Sequence, residues 1–502
     1  MKNIKYLLLG ILTASLVGLN SCKLESEVYD SINAGIFPTT ESDAEALVTA
    51  NAYGVFRNAG YDGMFNIANG VLLTSDLLSD YGESSWRQWE PVLYCRFTSS
   101  NNDNNTANNQ WRWAKFMGKM TMSIDRIEKM DIPEESKSSF LAELHCARGW
   151  LAFCMWDLFG PIPIADIETL KNPLEEKIIP RLSEDEMRNF IETELKKAAE
   201  ILPYNYTKDN PDYGRFTKGL CNMVLLKFYM QTGQWNKAEE KGRELMKSEY
   251  GYGLMDNYKD IFTLANEKNK ETIWAVNCLR GTQEHKWHPH VLPNDYPTVP
   301  ENVVKWNGWK ISWDFFHTFE EGDERLETII CEYTGTGGQA HSEELDKNGE
   351  KLKYGAVPFK YEIDPGTTGE DSEIDWIIYR YADALTLLSE AIVRNGNAVT
   401  KEAVDLLNQV RERAGLNGYK MSDFTGTQDF LNKLLLERAH ELYYEGCRRQ
   451  DLIRNGSYVT AIKKKCQTAG QTTLINENYE RLPLPQSVID EGKGQITQNP
   501  GY

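Results

Sequence analysis

Two stretches of this 502-residue chain combine indole rings with charged and amide side chains. One is SDLLSDYGESSWRQWE, and the other runs from Trp287 to Trp309. Their candidate ligand-binding residues are Asp80, Trp86, Arg87, Trp89, Trp287, Tyr296, Trp306, Asn307 and Trp309. Aromatic rings stack on apolar C–H faces, while amides and charged groups pair with hydroxyls. The mixture therefore suits a polyhydroxylated ligand such as a sugar, and core packing is the alternative for each single Trp.

Other site chemistry has weaker support. The segment HKWHPH gathers His285, His288 and His290, but it meets no zinc-ligand spacing and Pro289 predicts a loop, so we predict no metal site. Carboxylates are numerous, and a glycosidase pair stays open because its separation of about 5 to 10 Å cannot be deduced from sequence spacing. No G-x-S-x-G, H-E-x-x-H, P-loop or Rossmann fingerprint occurs. These observations favour a protein without catalytic residues or cofactor.

The overall charge excludes one class of partner. The formal charge of −19 is opposite to the basic patches that neutralise nucleic acid phosphates, so we predict no nucleic acid partner. A hydrophobic fraction of 41% predicts a folded globular protein. After Ser21 no apolar run approaches the length of a membrane span.

The N-terminus predicts a lipid anchor. Lys2 and Lys5 precede the apolar stretch Tyr6–Gly18, which has the length of a signal peptide. This stretch is followed by LNSC, ending at Cys22, which is typical of a bacterial lipobox. In that interpretation residues 1–21 are removed and Cys22 is acylated, and two or more acyl chains would anchor the protein stably. An ordinary cleaved leader is the alternative.

Helical periodicity dominates the rest of the chain. Amphipathic segments form pairs, such as RFTKGLCNMVLLKFYMQTG with QWNKAEEKGRELMKS and YRYADALTLLSEAIVRNGN with TKEAVDLLNQVRERAG. Ser183 and Glu186 have the spacing of a capping box. One long helix is predicted through QDFLNKLLLERAHELYYEGCRRQDLIR. We predict a mainly α fold with a TPR-like scaffold of helical pairs.

Two irregular tracts interrupt the helices. An early loop covers residues 76–110, and residues 266–374 are rich in Gly, Pro and Asn, which predicts a loop-rich, partly β-hairpin insertion. Because loops on a rigid scaffold tend to carry function, we expect the ligand face on the insertion. The predicted divisions are a leader (1–21), an acylated N-terminus and linker (22–38), a helical part (39–265), the insertion (266–374) and C-terminal helices (375–502).

Eight cysteines follow Cys22. Their even number in an exported chain allows disulfides. Several lie in apolar helical patterns, however, such as Cys146 and Cys154 in HCARGWLAFCMW. We expect most of them to be buried free thiols.

Several motifs, taken in order, resemble the SusD/RagB family. LLLERAHELYYEGCRRQDLIR, residues 434–454, is similar to the family helix E-R-x-x-E-L-x-x-E-G-x-R-x-x-D-L-x-R. RLPLPQSVID and the terminal QNPGY resemble the family's C-terminal ending, and AELHCARGWLAFCMWDLFGPIPI and YRYADALTLLSEA resemble two further elements. We interpret the charges of the first motif as ion pairs along one helix and Gly446 as a close-packing position.

This resemblance implies more than the residues do alone. Members of the family are glycan-binding lipoproteins of the Bacteroidetes outer membrane, so it implies a SusD-like fold, attachment at the cell surface and a glycan ligand held on the loop-rich face. It also implies a partner, a TonB-dependent outer-membrane transporter of SusC type. A surface glycoside hydrolase, a TPR-type protein adaptor and a peptide-binding relative are the alternatives.

Overall fold

The structure is a computed structural model that describes residues 37–57, 63–98 and 107–502. Helices dominate and the strands are short. The α-helices are α1 (Glu41–Asn51), α2 (Val71–Leu77), α3 (Glu90–Leu93), α4 (Ala107–Trp111), α5 (Lys115–Glu128), α6 (Glu134–Phe159), α7 (Ile167–Lys171), α8 (Glu184–Ile201), α9 (Lys218–Gln231), α10 (Trp235–Leu245), α11 (Trp287–Val291), α12 (Trp313–Phe316), α13 (Tyr381–Gly396), α14 (Lys401–Arg413), α15 (Thr427–Leu442), α16 (Arg448–Arg454), α17 (Tyr458–Thr468) and α18 (Gln486–Glu491). The strands are β1 (Gly82–Ser84), β2 (Thr272–Val276), β3 (Trp309–Ile311), β4 (Ile329–Ile330), β5 (Glu332–Thr334), β6 (Ala340–Ser342), β7 (Val357–Pro358) and β8 (Trp376–Arg380).

The longer helices form a continuous array of packed neighbours. Helix α5 packs against α6, α6 against α8, and α8 against α9. The array continues from α9 to α10, from α10 to α13, and from α13 to α14 and α15. The pairs α9/α10 and α13/α14 are those predicted from the sequence. The mainly α, TPR-like fold class is therefore confirmed, and the array is a rigid scaffold for the irregular segments.

Side-chain caps define several helix starts. Ser183 and Glu186 form the predicted capping box at the start of α8, with Glu186 N donating to Ser183 Oγ at 3.2 Å and Ser183 N donating to Glu186 Oε2 at 2.8 Å. The hydroxyls of Thr217 and Thr400 accept from Leu220 N and Ala403 N at the starts of α9 and α14. These bonds satisfy N–H groups that have no partner within their own helix.

The prediction of one long C-terminal helix is wrong, because the segment breaks between α15 and α16. Tyr444 and Gly446 have φ values of +57° and +79°, which lie outside the helical region. A Cβ on Gly446 would lie 2.5 Å from Leu72 Cδ2, so the predicted close packing at this position is present. Gly446 N also donates to the Asp76 carboxylate at 2.6 Å. The break therefore fastens the C-terminal motif to α2.

The charges of this motif form buried ion pairs, as predicted. Asp451 and Arg454 pair within α16, at 2.7 Å and three residues apart, but the glutamates find their partners on other elements. Glu441 accepts from Arg380 of β8 and Arg413 of α14. Glu445 accepts from Arg380 and from Lys360, which follows β7. Neighbouring turns of one helix do not supply these partners. The motif instead joins the end of the helical array to the insertion.

The cysteines of the described residues are free thiols, and Cys95, Cys146, Cys154, Cys221, Cys447 and Cys466 are buried. The expectation of buried free thiols is confirmed. Cys22, the leader at 1–21 and residues 99–106 of the early loop lie outside the described residues. Within 37–57, 63–98 and 107–502, no helix combines the length and apolar character that crossing a membrane requires.

A two-stranded ribbon joins the early loop to the insertion. Strands β1 and β3 are antiparallel, with Gly82 opposite Ile311 and Ser84 opposite Trp309. Ala356 extends the other edge of β3 through two backbone hydrogen bonds with Ile311, both 3.0 Å long. Three distant parts of the chain therefore meet along β3.

Candidate functional site

A cleft with a volume of about 370 Å³ opens beside the β1–β3 ribbon, and we call it the ribbon cleft. This volume lies within the range of small-ligand sites. The early loop, the insertion and the end of α17 all contribute to its walls. Central lining residues are Asp80, Glu83, Arg87, Trp313, Tyr354 and Lys465.

Two partly exposed aromatic rings line the ribbon cleft, and both are held in place. Trp313 Nε1 donates to Leu352 O at 2.9 Å, which fixes the orientation of the indole. The Tyr354 ring has the Arg87 guanidinium stacked over it, with Cζ 4.2 Å from the ring centroid. Rings that are already oriented lose little conformational entropy when a ligand stacks on them.

Arg87 is itself held by its other neighbours. Its Nε donates to Glu90 Oε1 at 2.9 Å, its Nη1 to Ser84 O at 2.9 Å, and its Nη2 to the Tyr94 hydroxyl at 3.0 Å. An ion pair to Glu83 at 3.8 Å completes the set. Each of the three guanidinium nitrogens of Arg87 therefore already donates a hydrogen bond within the protein, and its role is to fix the wall of the cleft.

The acidic side chains of the inner wall are also paired. Both oxygens of Asp80 accept from Arg448, at 2.8 and 2.7 Å. Burial alone would raise the pKa of Asp80, but the ion pair with Arg448 outweighs it and holds this pKa below its usual value. Burial raises the pKa of Glu83, and the nearby charges of Lys465 and Arg87 offset only part of that rise. Neither carboxylate is free to bind a ligand.

Lys465 ties α17 to the early loop. Its buried ammonium donates to Ser79 O at 3.0 Å and to Gly82 O. The polar groups that remain for a ligand lie at the rim, where Asp314 and Lys353 are exposed and Gln471 is partly exposed. The ribbon cleft thus combines two oriented rings with acceptors and donors at its mouth, an arrangement that can stack on a ring and pair with hydroxyls.

Residues 270–502, which include the insertion and the C-terminal helices, match the model of the SusD family. This region belongs to the SusD family. Relatives extend the similarity over the rest of the chain. SusD-like protein P2 of Formosa agariphila is 22% identical, with 98% of each chain covered. Starch-binding protein SusD of Bacteroides thetaiotaomicron is 23% identical over 76% of this chain and 75% of its own.

Solved structures of the SusD superfamily share the fold. Surface glycan-binding protein A of Bacteroides thetaiotaomicron, in complex with laminarihexaose, has a TM-score of 0.73 and 20% identity, covering 92% of this chain and all of that chain. A laminarin-binding SusD-like protein has a TM-score of 0.74 and 21% identity, covering 92% of this chain and 100% of its own. The fold of this chain is therefore the SusD fold.

Of the residues predicted from sequence, Asp80 and Arg87 line the ribbon cleft of this SusD fold. Both are bound within the protein, so they shape the cleft rather than offering free polar groups. The early loop and the insertion, the two tracts that hold the candidate residues, are joined by the β1–β3 pairing.

Trp86 and Trp306 form a second, separate aromatic group. Both are partly exposed, and Trp86 Nε1 donates to Trp306 O at 3.2 Å. His290 lies edge-on to both rings, with centroid distances of 5.5 and 5.0 Å. Trp86 lies directly against Gly308, where an added Cβ would be 2.6 Å from Trp86 Cη2. These two rings stay predicted ligand contacts, at a patch distinct from the lining of the ribbon cleft.

Four other candidates are buried, which corrects their prediction as ligand contacts. Trp89, Trp287 and Trp309 are 5%, 1% and 0% exposed, and they pack against other rings of the core. Asn307 is 7% exposed and donates to Glu350 O at 3.0 Å. Because none of these rings presents a face to solvent, none can stack on a ligand without repacking of the core.

Tyr296 and the histidine segment lie elsewhere in the insertion. Tyr296 is partly exposed and lies edge-on to Tyr333, with a centroid distance of 5.2 Å. His285, His288 and His290 are buried, and burial lowers their pKa values to about 3, 4 and 4. Within the described residues, no group of three or more His, Cys, Asp or Glu side chains has the arrangement of a metal site.

Sequence reasoning missed Trp313 and Tyr354, the two rings of the ribbon cleft. Trp313 follows Ser312, whose hydroxyl caps α12 by accepting from Phe315 N at 3.3 Å. The residues SWDF are typical of a capped helix start, with the Ser as the cap and the Trp as the first helical residue. This was the one sequence feature that could have indicated an oriented Trp. Nothing comparable marks Tyr354, because its position depends on the pairing of Ala356 with Ile311.

Proposed function

We propose that this protein is a cell-surface glycan-binding lipoprotein that captures oligosaccharides or polysaccharides in the ribbon cleft without cleaving them. The observation that carries this proposal is the pair of oriented, partly exposed rings of Trp313 and Tyr354, with polar groups at the mouth of the same cleft. Sugar rings offer flat C–H faces to such aromatic surfaces and hydroxyls to such polar groups. The glycan-binding proteins among the structural relatives support the choice of ligand.

Binding is tested by isothermal titration with soluble glycans, using Trp313→Ala and Tyr354→Ala. Each variant should lose at least about five-fold in affinity, because stacking on one ring contributes about 1 kcal/mol or more. Trp306→Ala tests the alternative Trp86–Trp306 patch, since this partly exposed Trp lies outside the ribbon cleft. Tyr204→Ala is the control, because Tyr204 is an exposed ring that belongs to neither site. If Trp306→Ala abolished binding while Trp313→Ala retained it, the ligand would lie on the Trp86–Trp306 patch instead.

A protein that only binds glycans should not cleave them. Prolonged incubation of the protein with a glycan that it binds should release no shorter products, as measured by chromatography of the reaction mixture. Asp80 and Glu83, the acidic residues of the inner wall, are committed to internal partners, which supports a role without bond cleavage. Steady product release that is lost in Trp313→Ala would replace the proposal with a surface glycoside hydrolase.

We further propose that the lipoprotein is anchored through Cys22 and passes its ligand to a TonB-dependent outer-membrane transporter of SusC type. The lipobox-like LNSC and the SusD-family region support both steps. Mass spectrometry of the membrane-extracted protein should find an acylated N-terminal Cys22, and Cys22→Ala should release the protein from the membrane. Affinity purification from gently solubilised membranes should recover the transporter, and its absence would contradict the delivery step.

A further inference from the structure

Within the proposed function, we infer that the ribbon cleft selects uncharged sugar chains and excludes chains bearing uronate or sulfate groups. Recognition of an anionic glycan requires cationic side chains whose donors are free. The basic residues that line the cleft are Arg87, Lys347, Lys353 and Lys465. Their existing partners decide which kind of chain can enter.

Two of these cations already hold several hydrogen bonds inside the protein. The donors of Arg87 are directed to Glu90, Ser84 O and Tyr94. Lys465 is 6% exposed and is directed to two backbone carbonyls of the early loop. Neither can turn toward a sulfate without breaking several hydrogen bonds, each of which stabilises the wall of the cleft.

The two remaining cations lie at the rim. Lys347 is paired with Glu344 at 2.5 Å in an exposed ion pair, which contributes little stability and can be exchanged. Lys353 has no carboxylate within ion-pair distance among the described residues, and its Nζ lies 5.4 Å from the Tyr354 ring centroid. It can donate to a hydroxyl beside that ring. These two lysines are the only cleft cations of the described residues that a ligand can recruit.

Two carboxylates oppose them at the same rim. Asp314 is exposed, and no cation of the described residues lies within ion-pair distance of it. Glu343 accepts from His317 Nε2 at 2.8 Å. Both would repel a uronate or sulfate placed on the aromatic rings, whereas they can accept hydrogen bonds from sugar hydroxyls. The chain's net charge of −19 adds long-range repulsion to an anionic polymer.

Affinity electrophoresis in native gels tests the inference with four soluble polysaccharides. Two are neutral, a β-1,3-glucan and an α-glucan, and two are anionic, polygalacturonate and a sulfated galactan. At least one neutral polymer should retard the protein, and Trp313→Ala should abolish that retardation. Because no ion pair to the ligand forms, affinity should change less than about two-fold between roughly 50 and 500 mM NaCl.

The outcomes separate this inference from the proposed function. Retardation by polygalacturonate or the sulfated galactan alone, weakening with salt, would overturn the selection for neutral chains and leave glycan binding intact. Equal retardation by neutral and anionic polymers would also overturn it. If none of these polymers retarded the protein and it bound no glycan on a wider array, the proposed function itself would be overturned.

Discussion

The guanidinium of Arg87 lies 4.2 Å above the centroid of the Tyr354 ring, and it joins two segments that are far apart in the sequence. Arg87 follows β1 in the early loop, while Tyr354 lies in the insertion, two residues before Ala356, which pairs with β3. Arginine stacks on aromatic rings in a planar arrangement that lysine cannot reproduce. This contact therefore determines the angle at which Tyr354 faces the ribbon cleft.

The first prediction follows from that contact. Arg87→Lys should weaken glycan binding by about ten-fold, even though the charge is kept, because Lys cannot stack flat or bond simultaneously to Glu90, Ser84 O and Tyr94. Titration calorimetry measures the affinity, and circular dichroism checks the fold. Arg96→Lys is the control, since Arg96 also pairs with Glu90 but is absent from the cleft lining. Unchanged affinity in Arg87→Lys would show that charge, and not the planar contact, matters.

The second prediction concerns Gly355, which lies between Tyr354 and Ala356. Its φ is +147°, and an added Cβ would lie 1.9 Å from Ile311 O. Gly355→Ala should push this segment away from β3, lower the free energy of unfolding by roughly 2 kcal/mol and weaken glycan binding. Urea denaturation and calorimetry measure the two effects.

Gly337→Ala is the matched control for Gly355→Ala. Gly337 lies between β5 and β6, and a Cβ there meets no atom within 4 Å. The free energy of unfolding of Gly337→Ala should differ from that of the wild type by less than about 0.5 kcal/mol. If Gly355→Ala behaved like the control, the pairing of Ala356 with Ile311 would not position Tyr354.

The sequence predicted features that depend on neighbouring residues and missed those that depend on distant ones. Helix α8 and its Ser183–Glu186 capping box follow from local spacing, which is why both were predictable. The break at Tyr444–Gly446 could not be predicted, because it depends on contacts with Leu72 and Asp76, which precede it by more than three hundred residues. No local pattern in the sequence reveals that contact.

The candidate site shows the same division. The mixture of aromatic and polar residues located the early loop and the insertion, and β1–β3 pairing joins these tracts. It could not separate core rings from exposed ones, because Trp309 and Trp313 have similar sequence surroundings. Trp309 lies on β3, whose three residues are all buried, and is 0% exposed, whereas Trp313 begins α12 at the cleft. Whether each Trp is buried or exposed depends on where β3 lies in the tertiary structure, which the local sequence does not determine.

The third prediction tests the buried ion pairs of the C-terminal motif. Glu441→Gln should lower the free energy of unfolding by about 3 to 5 kcal/mol, because the arginines around it would be left without a full counter-charge in the core. Glu200→Gln, on the exposed face of α8, should have little effect. Equal stability of the two variants in urea denaturation would contradict a structural role for Glu441.

The pH dependence of this effect has a defined sign. Burial alone would raise the pKa of Glu441, but Arg413, Arg380 and Arg325 together hold it well below its usual value. The stabilisation is therefore complete above the ordinary glutamate pKa and is lost as the pH falls below it. The stability difference between wild type and Glu441→Gln should accordingly shrink in acid.

The fourth prediction concerns Lys310, which lies opposite Glu83 in the ribbon but is fully buried. Its Nζ donates only to backbone carbonyls of the described residues, at 3.2 Å to Val291 O and 3.5 Å to Trp309 O. Burial, with a smaller effect of Lys351, lowers its pKa to about 7. An ammonium without a carboxylate in the core destabilises the fold, so Lys310→Met should be more stable than wild type at pH 7.

The stability advantage of Lys310→Met over the wild type should decrease as the pH rises. Between the folded pKa of about 7 and the unfolded value of about 10.5, the unfolded chain binds more protons, so wild-type stability rises with pH. The advantage of Lys310→Met should therefore shrink by about 3 kcal/mol between about pH 7 and pH 9.5, as measured by urea denaturation at both values. Lys463→Met, at an exposed position of α17, should show no such shrinkage. An advantage of equal size at both values would mean that the Lys310 ammonium keeps its charge in the folded protein.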